Sequence, residues 1–247
     1  DGVSRGIEEL AAARRLSATS AIVTQPAWPS HATRLLALRP HLAIGLHVNL
    51  TLGAPLGPMP SLAPAGMLPA VGEVIRRTVT GRIEVAEIAA EIERQLAAFE
   101  SATGCAPDFV DGHQHVHVLP GIRTALLEVL ARRFPQIAGG GSRNGPLVRD
   151  PADSPSAILA RGAATAKALT LATLAAGFGK AVRTAGFPTN SGFSGVSPFD
   201  ERKPYGDELR RFFAAPGTRH LVMCHPGYPD DELARLDPVL GRRRQEL

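Results

Sequence analysis

A chain of 247 residues is long enough to bury a sizeable core as one α/β domain without covalent staples. Its two cysteines, Cys105 and Cys224, lie far apart, which excludes a disulfide framework and a Cys-x-x-Cys metal clip and makes a reducing, cytoplasmic compartment the expectation. The formal charge of +4 is carried by scattered arginines and aromatics are only 5% of residues, so no nucleic-acid partner is expected.

Taken in chain order, Val3 to Leu16 has helical periodicity, with Val3, Ile7, Leu10 and Ala11 on one face. Ser20 to Thr24 is a short β-type run, and His31 to Leu38 reads as a helix that ends before Pro40. His41 to Thr51 reads as a buried strand whose polar atoms, His47 and Asn49, emerge near its C-terminal end. Gly53 to Pro69 is too proline-punctuated for regular structure. Glu84 to Ala102 is a strong amphipathic helix stopped by Gly104, Phe109 to Leu119 a strand, and Gly121 to Phe134 the next helix. The loop Gly139 to Gly145 lacks the spacing and the Lys-Ser/Thr of a phosphate cradle.

Residues 157 to 182 read as one Ala/Leu-rich helix. Arg161, Lys167 and Lys180 interrupt it, and no stretch reaches the roughly 20 apolar residues a bilayer requires, so no membrane partner is expected. Phe187 to Pro198 is a Gly/Ser loop, Asp207 to Phe213 a short helix, and Arg219 to Pro226 a buried strand ending in His225. Arg242, Arg243 and Arg244 are expected on a solvated helix. This alternation of strand and helix implies a largely parallel sheet with helices outside it, open or closed into a barrel. Function in such folds gathers at the C-terminal ends of strands, where His47, Asn49, the Asp111–His117 run and His225 fall.

The most informative segment is Asp111-Gly112-His113-Gln114-His115-Val116-His117. On a strand, a period of two sends Asp111, His113, His115 and His117 to one face. Four ionisable groups on one side of an otherwise apolar strand are costly to bury unless a metal or a substrate satisfies them. A surface strand that merely carries histidines is the alternative. A divalent metal that activates water commonly takes two imidazoles and a carboxylate. His47 and one histidine of the run can supply the imidazoles, and Asp111 either supplies the carboxylate or orients a ligating histidine. His225 is then placed to protonate a leaving amine as general acid. His31, His41 and His220 sit in helix or strand-entry contexts and are expected to be structural.

Gly45-Leu46-His47-Val48-Asn49-Leu50-Thr51, Asp111-Gly112-His113-Gln114-His115-Val116-His117 and Met223-Cys224-His225-Pro226 together resemble the signature segments of the YdjC-like (ChbG) carbohydrate deacetylases. The resemblance extends from Gly2 nearly to the C-terminus and includes the Gly192-Phe193-Ser194-Gly195 loop. It implies a single distorted (β/α) TIM-like barrel domain over residues 1–247, one divalent metal ion, and hydrolysis of an N-acetyl group from an amino sugar with release of acetate. By motif it places the metal on His47 and His113, with Asp111 supporting them, His115 and Arg143 facing substrate, and His225 as general acid. Zinc suits two imidazoles and a carboxylate on donor grounds, while magnesium is often assigned in the family.

The sequence departs from the family pattern at both ends. The family's first strand ends in Asp-Asp-Phe/Tyr-Gly ahead of the position of Gly2, one aspartate binding metal and its neighbour acting as base, and that strand is not in this sequence. The chain opens at Asp1-Gly2-Val3 without a Met, and the expectation is a domain lacking its first strand and its closing strand and helix. Two other readings stand beside the deacetylase. One is a different metal-dependent amidohydrolase or phosphoesterase barrel; the other is a non-catalytic sugar-binding relative that has lost the aspartate pair. Chito-oligosaccharides, a nucleotide- or lipid-linked amino sugar and a cell-wall fragment all fit as substrate, and the 53–69 and 187–198 loops are expected to choose among them. Assembly as a homodimer stays open.

Overall fold

The computed structural model describes residues 2–135, 145–237 and 239–247. The chain divides into two compact units, one made of Ala18–Arg149 and Gly177–Thr189, the other of Asp1–Ser17, Asp150–Ala176 and Asn190–Leu247. The elements in order are α1 (Gly2–Ala12), β1 (Ala18–Ala21), α2 (Trp28–Leu36), β2 (Ala43–Val48), α3 (Val71–Val79), α4 (Val85–Thr103), β3 (Phe109–Gly112), a 3₁₀ segment (His113–Val118), α5 (Ile122–Arg133) and β4 (Leu147–Val148). They continue with α6 (Pro155–Arg161), α7 (Thr165–Leu174), α8 (Phe178–Thr184), β5 (Gly192–Ser194), α9 (Tyr205–Phe212), β6 (His220–Val222), α10 (Asp231–Leu236) and α11 (Gly241–Gln245).

In the first unit β1, β2, β3 and β4 form a sheet in that spatial order, every pairing parallel, with His47 in register with Asp111. Parallel strands need crossovers, and α2, α4 and α5 supply them in sequence. Ile44, Leu46, Val48, Val110 and Val148 are buried in the sheet, Ile88, Ile92, Leu96 and Phe99 are buried on α4, which packs on β2, and Ile122, Leu126, Val129 and Leu130 are buried on α5, which packs on α4. These near-continuous apolar strands are what a sheet with covered faces demands. α4 stops at Gly104, whose φ of 69° lets its N–H reach the Glu100 carbonyl at 2.7 Å. In the second unit β5 and β6 pair in parallel above a cluster of Leu171, Phe193 and Val196. The expected α/β class with parallel strands and outer helices is thus observed.

Several boundaries differ from expectation. The helix expected over 157–182 is three helices, because Gly162 (φ 60°) and Gly177 (φ 76°) take left-handed backbone at the breaks. Apolar content alone does not show those breaks. The arginine run is not a solvated face. Arg242 is 1% exposed, paired with the Glu208 carboxylate and donating to the Lys203 carbonyl, while Arg243 pairs with Asp237 and Arg244 alone of the three is exposed.

The loop after β2 has no regular element before α3, as its prolines require, yet it is held firmly. Gln95, buried on α4, accepts from the Asn49 backbone N–H at 2.9 Å and donates to the Asn49 carbonyl at 2.8 Å. Glu91 accepts from the Leu56 N–H and from Gln95, and Glu87 accepts from the Ser61 and Leu62 N–H groups. The Asn49 side chain closes a turn through the Thr51 and Leu52 N–H groups and donates to Thr24, so it is structural and not part of a polar rim. Gln95→Leu is expected to strand the buried Asn49 amide and carbonyl, lowering unfolding free energy in urea titrations by about 2–4 kcal/mol.

Candidate active site

The histidine run is not a strand. β3 ends at Gly112, and the chain then tightens into a 3₁₀ segment in which Gln114 (φ 50°) and His115 (φ 61°) adopt left-handed backbone. A Cβ on Gly112 would lie 2.7 Å from His117 Nδ1, so only glycine lets the segment fold back on the strand end. The expectation that Asp111, His113, His115 and His117 share one face is therefore corrected. The turn sends the three histidines into three different environments.

Asp111, 1% exposed, is the centre of the arrangement. One carboxylate oxygen, Oδ1, lies 2.5 Å from His47 Nδ1, and the other, Oδ2, lies 2.6 Å from Arg149 Nη1. Ser20 Oγ, at the end of β1, reaches Asp111 Oδ2 at 3.3 Å and His47 Nδ1 at 3.2 Å. Burial pushes the Asp111 carboxyl upward, but Arg149 and His47 outweigh it and hold the group ionised, well below the usual carboxylate range. Because an ionised carboxylate only accepts, His47 Nδ1 carries the proton in this bond, and Nε2 is left as the electron-pair donor. That is the way a carboxylate prepares an imidazole to ligate a metal.

His113 is half-buried, and its ring stands edge-on to His47 with centroids 5.5 Å apart. His115 is half-buried, its Nδ1 3.4 Å from Arg149 Nη2. Burial, then the charge of Arg149, lowers its pKa well below the ordinary imidazole value, so it is neutral. His117 is fully buried, donating from Nε2 to the Arg149 carbonyl at 2.9 Å and packing edge-on to Phe178 at 5.4 Å. Burial, then Arg149, brings its pKa down to about 3, which makes it a neutral structural group.

Arg149 is the residue that sequence reasoning missed. It follows β4, a strand of two residues beyond a glycine-rich stretch, too short to show a pattern. Its backbone N–H donates to Val110 at 3.0 Å, and its guanidinium also donates to the Gly112 carbonyl at 3.2 Å. Ser20 too carried no signal beyond opening a short β-type run. Among the described residues no group of three or more His, Cys, Asp and Glu is arranged to hold a metal ion. Arg143 lies outside the described residues.

His225 belongs to the other compact unit, three residues past β6. Its ring stands edge-on to Phe199 with centroids 5.6 Å apart, and its backbone N–H donates to the Glu246 carboxylate. Burial raises the Glu246 carboxyl to about 7, with Glu208 adding to the rise and His225, Arg243 and Arg242 opposing it. His220 on β6 bonds Ser194 Oγ at 2.9 Å, a structural role as expected, and His41 is an exposed residue of the turn before β2.

The sequence matches the YdjC-like protein family over residues 1–247. The chain belongs to that family. It is 35% identical over 133 residues to a chitooligosaccharide deacetylase of Enterobacter sp. (strain 638), covering 53% of this chain and 51% of the relative. It is 35% identical over 130 residues to a human carbohydrate deacetylase, covering 51% and 40%. The chain thus spans about half or less of the curated relatives it matches. A solved structure from Enterococcus faecalis V583, described as a candidate cellobiose-phosphate cleavage protein, superposes with a TM-score of 0.68 at 21% identity, covering 99% of this chain and 83% of that one. At that identity the likeness is one of fold, in keeping with a distorted (β/α) barrel. No helix among the described residues is long and apolar enough to cross a membrane.

Two measurements check the electrostatics. Arg149→Met leaves Asp111 buried without its main counter-charge and is expected to cost about 3–5 kcal/mol in urea unfolding, much of it recovered in Asp111→Asn/Arg149→Met. Glu246 has a folded pKa near 7, above its ordinary 4.5, so its contribution is fully present below about 4.5 and is lost as pH rises through 7. Thermal melts from pH 4 to 8 are expected to show that decline, and Glu246→Gln is expected to flatten it.

Proposed function

We propose that this chain is the body of a carbohydrate deacetylase that hydrolyses the N-acetyl group of an amino sugar to acetate and a free amine. The observation that carries the reading is the pairing of His47 and His113, with Asp111 turning His47 so that Nε2 is its donor atom. Family membership and the named activities of the relatives support it. The two imidazoles are the residues that would hold one divalent ion, zinc or magnesium. When bound, such an ion polarises the acetyl carbonyl and makes its water more acidic.

The chain's own groups do the rest. Asp111, clamped by Arg149, fixes the His47 ring and keeps a negative charge beside it. Neutral His115 and the Arg143 side chain bind the sugar. His225 delivers a proton to the departing amine nitrogen, which turns a poor leaving group into a neutral one. The aspartate pair that the family resemblance implies is not among these 247 residues, so the complete reaction is proposed for the whole protein.

Acetate release from diacetylchitobiose is the direct test. The expected result is release abolished by a chelator, restored by zinc or magnesium, and reduced at least about 100-fold by His113→Ala, beyond the roughly 10–100-fold typical of losing a residue that only orients a ligand. Release that survives both chelator and His113→Ala overturns the metal assignment. Metal-loaded protein that binds the sugar and releases no acetate overturns the deacetylase in favour of a binding protein.

A further inference from the structure

Phe199 stands out in the second unit. Its φ is 56°, and left-handed backbone is a genuine outlier for a bulky aromatic residue. Such conformations persist only where the surroundings over-determine them, and they gather at functional sites. Here the surroundings are explicit. The Phe199 N–H donates to Ser197 Oγ at 2.9 Å, closing a turn, and Lys167 Nζ donates to the Ser197 carbonyl at 3.2 Å. The same ammonium lies 4.7 Å from the centroid of the Phe199 ring, a cation–π contact. Lys167 is on α7, whose Leu171 packs with Phe193 and Val196 just upstream of the loop. The ring so fixed meets the His225 imidazole edge-on, 5.6 Å between centroids at 70°.

Nothing about packing alone requires this. Phe199 is part-buried and stands outside the cluster of Leu171, Phe193 and Val196, so its backbone does not complete that core. What the conformation achieves is to hold an aromatic ring against one side of a histidine. We propose that Phe199, set by Lys167 and Ser197, is a positioning residue that holds the His225 imidazole in the orientation from which it donates its proton. The proposal rests on the reading of His225 as general acid. Misplacement of a catalytic group by about 1 Å can cost 100-fold, so a contact that fixes the His225 ring bears directly on turnover.

The test uses the whole protein, of which these 247 residues are the part described, with diacetylchitobiose. Phe199→Leu is expected to lower kcat about 10–100-fold with KM within about twofold, because substrate binding is untouched, and Phe199→Tyr is expected to restore at least half of kcat. Phe199→Ala and Phe199→Gly are expected to lose kcat equally, while the glycine variant melts at the higher temperature because glycine accepts a positive φ. That pairing separates loss of the ring from loss of fold. His225→Gln is measured alongside. If it abolishes turnover while Phe199→Leu keeps kcat within twofold or raises only KM, the positioning role is overturned and the general acid stands. If His225→Gln leaves turnover intact, the reading of His225 itself is overturned, and the positioning role with it.

Discussion

One buried carboxylate holds both an imidazole and a guanidinium in this protein, and the candidate site is organised by that fact. Asp111 is almost wholly buried, so each of its oxygens must find a partner within the fold. One takes His47 and the other Arg149, with Ser20 between them. Three adjacent parallel strands and the residue after a fourth therefore converge on a single side chain. Register follows from the same demand, since a one-residue slip of β2 against β3 would point His47 away from the carboxylate that is its partner. The cost of burying these charges is large, and stability alone would be served as well by apolar groups. What the ionised network supplies is direction, a particular nitrogen of a particular imidazole turned outward.

The class of fold was legible from the alternation of apolar strands and amphipathic helices, and the amphipathic α4 with its Gly104 stop was legible nearly to the residue. His47, Asp111 and His113 were legible as chemistry because ionisable residues at strand ends are conspicuous against Val and Leu. Their geometry was not. A period of two in Asp111, His113, His115 and His117 describes a strand equally well as it describes a coincidence, and only the approach of His117 to within 2.7 Å of where a Cβ on Gly112 would lie shows why glycine stands where the chain turns. Nothing about Gln114 advertises a left-handed backbone. Arg149 was illegible for a different reason. Its strand is two residues long, and its role depends on a partner 38 positions away that no local pattern encodes.

The three histidines of one short segment illustrate how little residue type fixes role. His113 stands beside His47, His115 approaches a guanidinium, and His117 is sealed against Phe178 with its proton given to a carbonyl. Burial and the neighbouring Arg149 keep the last two neutral, so those two carry imidazole without carrying charge. Donors of electron pairs and neutral hydrogen-bond donors are what a metal and a sugar respectively require, and a run of lysines or arginines in the same turn could provide neither.

The grip of α4 on the loop after β2 has a consequence of another kind. Gln95, Glu91 and Glu87 hold that loop through the backbone of Asn49, Leu56, Ser61 and Leu62, never through the side chains of the last three. An anchor that reads only peptide groups is indifferent to what those three residues display. Leu56 and Ser61, unlike the buried Leu62, can therefore drift over generations while the loop stays moored, and a lineage can explore new recognition surfaces without first re-solving the problem of how to fold.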